Sequence, residues 1–307
     1  MPRWFLYSLV TMLIWGGWGV VSKPLSAELS PWQVQCLSTL GLLPVLILAG
    51  RKQFQISNIK DQISGQSGSN LRRGLGQAFV AGIISSAGNV ACYEALAVGG
   101  KAAAVIPLTS LYPLVTIILA MVLLRERLNR VQWAGIGISF AALCFFSVEK
   151  GSAWISPWLA AALIPIALWG VSGFLQKLAT DHASSELVTF AFLLGFVPAA
   201  VLIPVFQPFE WQLSGVTWLM LFLLGLFYGL GNLTLIIAYG TGGRASVVTL
   251  MTSLYSLITI PLAMLLLHEQ LSDRQRIGIV LALAAVVALG RETPPTPHGV
   301  PNDAATR

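Results

Sequence analysis

Charged side chains are scarce in this sequence. Asp, Glu, Lys and Arg make up 10% of the 307 residues, hydrophobic residues make up 56%, and the mean hydropathy is +0.77. A soluble domain carries about 25% charged residues, because polar groups must cover its surface. The composition therefore argues against a soluble protein and predicts an integral membrane protein with several spans. The net charge of +6 does not indicate nucleic-acid binding, because the basic residues cluster between apolar runs, as at a membrane surface.

The sequence also lacks the patterns on which most catalytic and metal sites depend. It has no HExxH or GxSxG motif, no glycine-rich phosphate loop and no cluster of Cys and His residues. Cys36, Cys92 and Cys144 lie far apart, each in an apolar run, and we interpret them as small core residues. We therefore expect a protein that is not an enzyme and that has no metal or cofactor.

Long apolar runs are abundant. Runs of about 17–24 residues are long enough to cross a bilayer as helices, and they exclude the roughly ten-residue strands of a membrane barrel. We predict ten membrane-spanning helices, over residues 3–22, 32–50, 75–98, 102–124, 131–148, 157–177, 186–206, 216–240, 245–267 and 275–290. A polar loop is expected over residues 51–74, and a disordered, Pro-rich tail over residues 291–307.

The second half of the chain repeats the first. TSLYPLVTIILAMVLLRERL, from Thr109, returns as TSLYSLITIPLAMLLLHEQL, from Thr252, and 26 of 58 positions are identical when residues 86–143 are aligned with residues 229–286. IWGGWGVVSK, which contains Trp15, is likewise matched by LWGVSGFLQK, which contains Trp169. Apolar bias does not explain this, because Asn, Gly, Tyr and Glu align as well as Leu. We predict two five-helix repeats, residues 1–148 and 149–290.

An odd number of helices in each repeat inverts the second repeat in the membrane. Basic residues favour the cytoplasmic side. The loop at residues 51–74 and the RER segment at 125–127 are basic, whereas the second copy of that segment reads HEQ, although Arg274 and Arg276 follow it. The predicted fold is therefore an all-α integral membrane protein with ten transmembrane helices, arranged as two inverted five-helix repeats around a central cavity. Both termini, including the tail, are expected in the cytoplasm.

Polar side chains inside apolar spans are costly and mark candidate functional positions. Glu94, whose repeat partner is Ile237, is either a proton-coupling acid or a carboxylate that reaches the interface. Asn89 and Tyr93 lie four residues apart, on one helix face, and Asn232 is the repeat partner of Asn89. The asparagines either line a cavity or form interhelical hydrogen bonds, which are worth about 1 kcal/mol or less in membranes.

Aromatic and hydroxyl side chains supply the other candidates. Trp15 and Trp169 lie inside their spans, away from the ends that interfacial tryptophans occupy, so they either form a gate or cavity wall or pack in the core. Trp18 has no repeat partner and is a weaker candidate. Four residues repeat at a spacing of three, on one helix face in each repeat, and we favour a cavity-facing position for them: Thr109, Tyr112, Thr252 and Tyr255.

Other matched residues have structural interpretations. Pairs of small residues permit close helix packing: Gly82 with Ser86, and Gly225 with Gly229. Four cations near helix ends either reach the interface or capture a phosphate: Lys23, Lys101, Lys177 and Arg244. Glu126 and Glu269 are expected to satisfy backbone amides or to pair across the repeat interface. Pro113 and Pro261 have no repeat partners and are expected to kink their helices differently.

The Trp-Gly…Lys opening of each half and the TSLYPLVTIILAMVLLRERL pattern resemble the EamA-type branch of the drug/metabolite transporter superfamily. The resemblance covers about residues 1–290. It implies ten helices around a central cavity and export of small metabolites, often amino acids. It also implies that the cavity is built mainly by the first, third, fourth, sixth, eighth and ninth helices, whose matching positions include Trp15, Asn89, Tyr93, Tyr112, Trp169, Asn232 and Tyr255.

We therefore predict a secondary transporter in the bacterial inner membrane that exports a small amphipathic solute, such as an amino acid, by alternating access. A mostly neutral, aromatic lining suits such a solute better than a nucleotide. A sugar-phosphate or nucleotide-sugar exchanger of the same superfamily is the alternative, followed by a channel or a membrane scaffold. The expected partners are the solute and the lipid bilayer, without nucleic acid, and the sequence allows a homodimer without requiring one.

Overall fold

A computed structural model describes residues 2–55, 68–123, 129–147, 156–241, 248 and 251–289, and the regular structure of these residues is helical throughout. The helices are α1 (Arg3–Glu28), α2 (Pro31–Ser38), α3 (Leu43–Gln55), α4 (Gly68–Ala97), α5 (Ala102–Thr109), α6 (Pro113–Leu123), α7 (Arg130–Ser147), α8 (Pro157–Thr180), α9 (Ser185–Leu194), α10 (Val197–Phe206), α11 (Gly215–Gly240), α12 (Ser256–Leu266) and α13 (Asp273–Leu289). A 3-10 turn over Thr39–Leu42 joins α2 to α3. The predicted all-α class is thereby confirmed for the described residues.

Seven helical segments in this part of the chain are long and apolar enough to cross a membrane: Arg3–Glu28, Pro31–Gly50, Ser69–Ala97, Ala102–Leu123, Pro157–Thr180, Ser185–Phe206 and Gly215–Ala238. Two further helices are also apolar but shorter, Arg130–Phe145 and Met251–Leu266. Each of these segments overlaps one predicted span. The predicted tail lies outside the described residues.

The polar loop predicted over residues 51–74 is partly wrong. The structure continues α3 to Gln55 and begins α4 at Gly68, so helix replaces loop at both ends of that segment. Arg72 and Arg73 are exposed on the first turns of α4. A helix satisfies its backbone hydrogen bonds internally, whatever side chains it carries. It can therefore extend past the last apolar residue, where the hydropathy pattern ends.

Both copies of the TSLY segment interrupt a span. In the first copy α5 ends at Thr109 and α6 begins at Pro113, and in the second copy α12 begins at Ser256 after a turn at Tyr255. The different kinks expected at Pro113 and Pro261 stay a prediction. Pro261 lies inside α12, and the break falls at the same point in both copies although only the first has a proline there. The break therefore belongs to the shared segment and does not need the proline at its start.

The helices pair across the two repeats. α1 packs against α11, α4 packs against α8, and α7 packs against α13. In the repeat alignment α1 corresponds to α8, α4 to α11 and α7 to α13. The α1–α11 and α4–α8 contacts are therefore two copies of one interface, related by a pseudo-twofold axis.

Glycines allow the closest approach in a second duplicated interface. A Cβ atom on Gly41 would lie 2.9 Å from the Cα atom of Gly225, and a Cβ atom on Gly82 would lie 3.0 Å from the Cα atom of Gly195. Gly41 is the repeat partner of Gly195, and Gly82 is the repeat partner of Gly225. Backbones this close leave no room for any other residue, which confirms the packing role predicted for Gly82 and Gly225.

Large apolar side chains cover the outside of the helix bundle. Val205, Phe206 and Leu265 are 72%, 77% and 70% exposed. Such a surface is compatible with lipid tails as its solvent and not with water. Cys36 and Cys92 are buried as predicted, whereas Cys144 is exposed on α7, because it lies on the outer face of that helix.

Candidate functional site

An aromatic cluster fills the interface between the repeats, with Trp18 of α1 at its centre. The ring centroid of Trp18 lies 6.1 Å from that of Tyr93, 5.9 Å from that of Trp169 and 6.0 Å from that of Tyr228. Trp18 and Tyr93 belong to the first repeat, and Trp169 and Tyr228 belong to the second. Aromatic pairs at such distances contribute about 0.5–1.5 kcal/mol beyond burial. We call Trp18 and these three partners the central aromatic cluster.

Two matched ring contacts flank this cluster. The ring of Tyr112 lies 6.5 Å from that of Trp169 at an interplanar angle of 89°, and the ring of Tyr255 lies 5.8 Å from that of Trp15 at 76°. The two tyrosines are repeat partners, and so are the two tryptophans. The structure thus brings four predicted site residues together as two copies of one edge-to-face contact, each linking a helix of one repeat to a helix of the other.

A hydrogen bond marks the axis between the repeats. The hydroxyl groups of Ser85 and Tyr228 lie 2.7 Å apart. Ser85 and Tyr228 occupy equivalent positions in the repeat alignment. Under twofold symmetry a residue contacts its own partner only near the axis, so this bond places the axis at the central aromatic cluster.

The two predicted asparagines are buried and hydrogen-bonded. The indole N–H of Trp169 donates to Asn89 Oδ1 at 3.1 Å and to the carbonyl oxygen of Ser85 at 3.3 Å. Asn89 therefore joins α4 to α8. The amide nitrogen of Asn232 donates to the carbonyl oxygen of Tyr228 at 2.9 Å, within α11. Asn89 thus has the interhelical bond that was one of its two interpretations.

The two predicted threonines lie at the interrupted spans. Both are fully buried. The hydroxyl of Thr109 donates to the carbonyl oxygen of Ile106 at 3.1 Å, and that of Thr252 donates to the carbonyl oxygen of Val248 at 2.9 Å. These bonds satisfy carbonyl groups beside the break in the helix. In this conformation the threonines stabilise the backbone of the segments that carry Tyr112 and Tyr255.

Glu94 lies apart from the other candidates. It is exposed on α4, although its neighbour Tyr93 is only 1% exposed. Successive residues in a helix are about 100° apart, so Glu94 points away from the face that carries Asn89 and Tyr93. Among the described residues no group of three or more His, Cys, Asp or Glu side chains could hold a metal ion.

Charged side chains join the repeats at one end of the bundle. Glu269 Oε1 accepts a hydrogen bond from the amide of Ala102 at 2.8 Å, and Oε2 accepts one from the amide of Ala103 at 2.8 Å. These amides begin α5, where unpaired N–H groups and the helix dipole favour a carboxylate. Lys101 Nζ donates to the carbonyl oxygen of Gln270. The role predicted for Glu269 is confirmed, while Glu126 lies outside the described residues.

Lys23 completes this end of the structure. Its Nζ donates to the carbonyl oxygens of Leu96 at 2.7 Å and Gly100 at 2.8 Å, at the end of α4. The amino group thus reaches the end of the neighbouring helix and binds carbonyl groups that have no partner within that helix, which does not require a phosphate. We call the contacts of Lys23, Lys101 and Glu269 the polar latch.

The model of the EamA-like transporter family matches residues 2–148 and again residues 156–291. The two matches together span nearly all of the sequence, one in each repeat. The chain belongs to the EamA-like transporter family. The resemblance seen in the Trp-Gly…Lys and TSLY segments is thereby confirmed, and this EamA protein is a membrane transporter built from two EamA repeats.

A solved structure titled "Crystal structure of protein" is similar to this EamA protein over most of its length. The TM-score is 0.64, the sequence identity is 17%, and the similarity covers 94% of this chain and 97% of the other. At that identity the likeness shows the fold alone. No curated protein shows significant sequence similarity to the chain.

Proposed function

We propose that this protein is a secondary transporter that exports a small amphipathic solute, such as an amino acid, by alternating access. The observation that carries the proposal is the central aromatic cluster, where side chains of both repeats meet at the pseudo-twofold axis. Inverted-repeat transporters bind their substrates at the repeat interface, near the middle of the membrane. The uncharged rings suit an apolar side chain, and an ammonium group can lie on an aromatic face.

We also propose ten membrane-spanning helices in two inverted repeats, with both termini in the cytoplasm of a bacterial cell. The polar latch supports the inversion, because it joins the loop after α4 to the loop after α12. Repeats of equal orientation would place those two loops on opposite sides of the membrane. The carboxylate of Glu28, at the end of α1, likewise accepts a bond of 3.0 Å from the hydroxyl of Thr217, at the start of α11.

In this arrangement the polar latch closes the outer end of the pathway. The basic segments at residues 51–74 and 125–127 lie on the other side. Outward release of a solute then requires Glu269 to leave the amides of Ala102 and Ala103. The described conformation is therefore the one closed to the outside, and export proceeds through a second conformation in which the latch is open.

A sugar-phosphate exchanger would need cations in the pathway. The amino group of Lys23 is held by two backbone carbonyls, and the central aromatic cluster consists of uncharged side chains. These contacts favour an amphipathic solute over a phosphorylated one.

A solute screen tests the proposal. Cells that overproduce the wild-type protein are exposed to toxic amino-acid analogues and other metabolites, in parallel with cells that overproduce Trp18→Ala at equal membrane levels. We expect resistance to a group of chemically related solutes from the wild type and its loss in Trp18→Ala. Trp133→Ala is the matched control, because Trp133 is 56% exposed on α7. Equal growth of all strains on every solute contradicts the proposal.

For the energy source we propose proton coupling with Glu94 as the coupling group, despite its exposed position. Flux into proteoliposomes with and without a pH gradient tests this. Gradient-driven flux that persists unchanged in Glu94→Gln removes Glu94 from that role and leaves the alternating-access proposal intact.

A further inference from the structure

Trp15 and Trp169 are repeat partners that pack alike. The ring of Trp169 lies against Gly88 of α4, where a Cβ atom would come within 2.6 Å of its Nε1 atom. The ring of Trp15 lies against Gly231 of α11, the repeat partner of Gly88, where a Cβ atom would collide with the same ring nitrogen. The two indoles therefore hold equivalent positions in the two copies of the α1–α11 interface.

Their hydrogen bonds differ. The indole N–H of Trp169 donates to Asn89 and to the carbonyl oxygen of Ser85. The indole N–H of Trp15 is buried and has no acceptor among the described residues. An indole nitrogen is a donor only, and a buried donor without an acceptor is unfavourable.

The acceptors that would match those of Trp169 are present beside Trp15. They are Asn232 and the carbonyl oxygen of Tyr228, the repeat partners of Asn89 and Ser85. In the described conformation the amide nitrogen of Asn232 donates to that carbonyl oxygen at 2.9 Å, and neither acceptor receives a bond from Trp15. A shift of α1 against α11 can therefore bring the indole N–H of Trp15 to Asn232 Oδ1 and to the carbonyl oxygen of Tyr228.

A neighbouring interface carries the same hydrogen bond in both repeats. The hydroxyl of Thr116 donates to the carbonyl oxygen of Gly170 at 2.8 Å, and that of its partner Thr259 donates to the carbonyl oxygen of Gly16 at 3.0 Å. The α1–α12 and α6–α8 contacts are thus matched down to single hydrogen bonds. The difference in hydrogen bonding between the repeats lies at the α1–α11 and α4–α8 interfaces.

We propose that Trp169 and Trp15 form alternating hydrogen bonds during transport. Trp169 bonds to Asn89 while the polar latch is closed, and Trp15 bonds to Asn232 and the carbonyl of Tyr228 in the opposite state, when Trp169 releases Asn89. This inference rests on the alternating-access function proposed above. When inverted repeats exchange their conformations, a bond made by one repeat passes to the other. Each state then has one satisfied and one unsatisfied indole, which keeps the two states close in free energy.

Thiol labelling at the latch tests this directly. Ala103, whose amide binds Glu269, is fully buried, so Ala103→Cys reports latch opening in a background without the three native cysteines. A membrane-impermeant reagent is added outside intact cells. Because an interhelical hydrogen bond in a membrane is worth about 0.6–1.4 kcal/mol, we expect Trp169→Phe to raise the labelling rate about three- to tenfold and Trp15→Phe to lower it by a similar factor. Trp133→Phe, on the lipid-facing surface, is the control and should leave the rate unchanged.

The acceptor side gives a second test that does not alter either ring. Asn89→Ala should reproduce the increase seen with Trp169→Phe, and Asn232→Ala should reproduce the decrease seen with Trp15→Phe. If the variants of both repeats change the labelling rate in the same direction, or if none of them changes it, the proposal of alternating hydrogen bonds is wrong. Loss of alternating access itself has a different signature, since the labelling rate would then not respond to Glu269→Ala or to the transported solute.

Discussion

The substitution Glu269→Ala should open the outer end of the pathway. Its carboxylate accepts two bonds of 2.8 Å from the first amides of α5, across the repeat interface. A side chain that caps a helix N-terminus contributes about 0.5–2 kcal/mol, and partial exposure reduces the electrostatic part. We therefore expect the closed state to lose about 1–2 kcal/mol, which corresponds to a shift of about five- to thirtyfold in the equilibrium between closed and open latch.

Labelling of Ala103→Cys from the outside measures this shift. The rate should rise by that factor in Glu269→Ala and by less in Glu269→Gln, which keeps one acceptor oxygen. Glu210→Ala is the matched control, because this carboxylate is exposed in the loop before α11, on the same proposed outer side, and belongs neither to the polar latch nor to the proposed proton coupling. An unchanged rate in Glu269→Ala would refute the latch. An equal rise in Glu210→Ala would show that loss of negative charge, and not loss of the cap, opens the pathway.

Three further predictions concern packing and transport. Gly82→Val should prevent stable folding, since a side chain there meets the backbone of α9, whereas Gly76→Val, with no atom within 4 Å of the added Cβ, should preserve the yield and melting temperature of the purified protein. Trp18→Phe should weaken solute binding, measured as a rise in the concentration for half-maximal flux, because the smaller ring loses contacts to both repeats. Thr116→Val should lower the melting temperature by a few degrees, since it removes the interhelical hydrogen bond to the Gly170 carbonyl at a cost of about 1 kcal/mol.

The architecture could be predicted from the sequence because two of the sequence signals, the apolar runs and the internal repeat, extend over many residues. Apolar runs fix where a helix can cross a membrane, and the described helices overlap the predicted spans. The 58-residue alignment identified the repeats, and the family match falls on the same two halves. The helix ends were less predictable. Hydropathy reports where the apolar residues stop, while α1 and α4 continue into polar sequence.

Only part of the candidate site could be predicted from the sequence, because identity between aligned positions of the two repeats was the main signal. Trp15, Tyr112 and their partners were found this way. Trp18 was identified only as a weaker candidate and Tyr228 was missed, since each faces the axis and is aligned with a serine in the other repeat. Near the twofold axis a residue lies close to its own repeat partner. Two large identical rings would therefore collide there, whereas one large and one small side chain fit. Glu94 could have been separated from the other candidates by helical periodicity alone.

The central claim is tested most directly by counterflow in proteoliposomes. Vesicles that contain the purified protein are loaded with a solute found in the screen, and uptake of the same labelled solute is followed at equal incorporated protein for the wild type and Trp18→Ala. An alternating-access transporter with its site at the central aromatic cluster predicts saturable, trans-stimulated uptake that is lost in Trp18→Ala. Uptake that does not saturate, that is indifferent to internal solute or that is equal in both proteins would contradict the account.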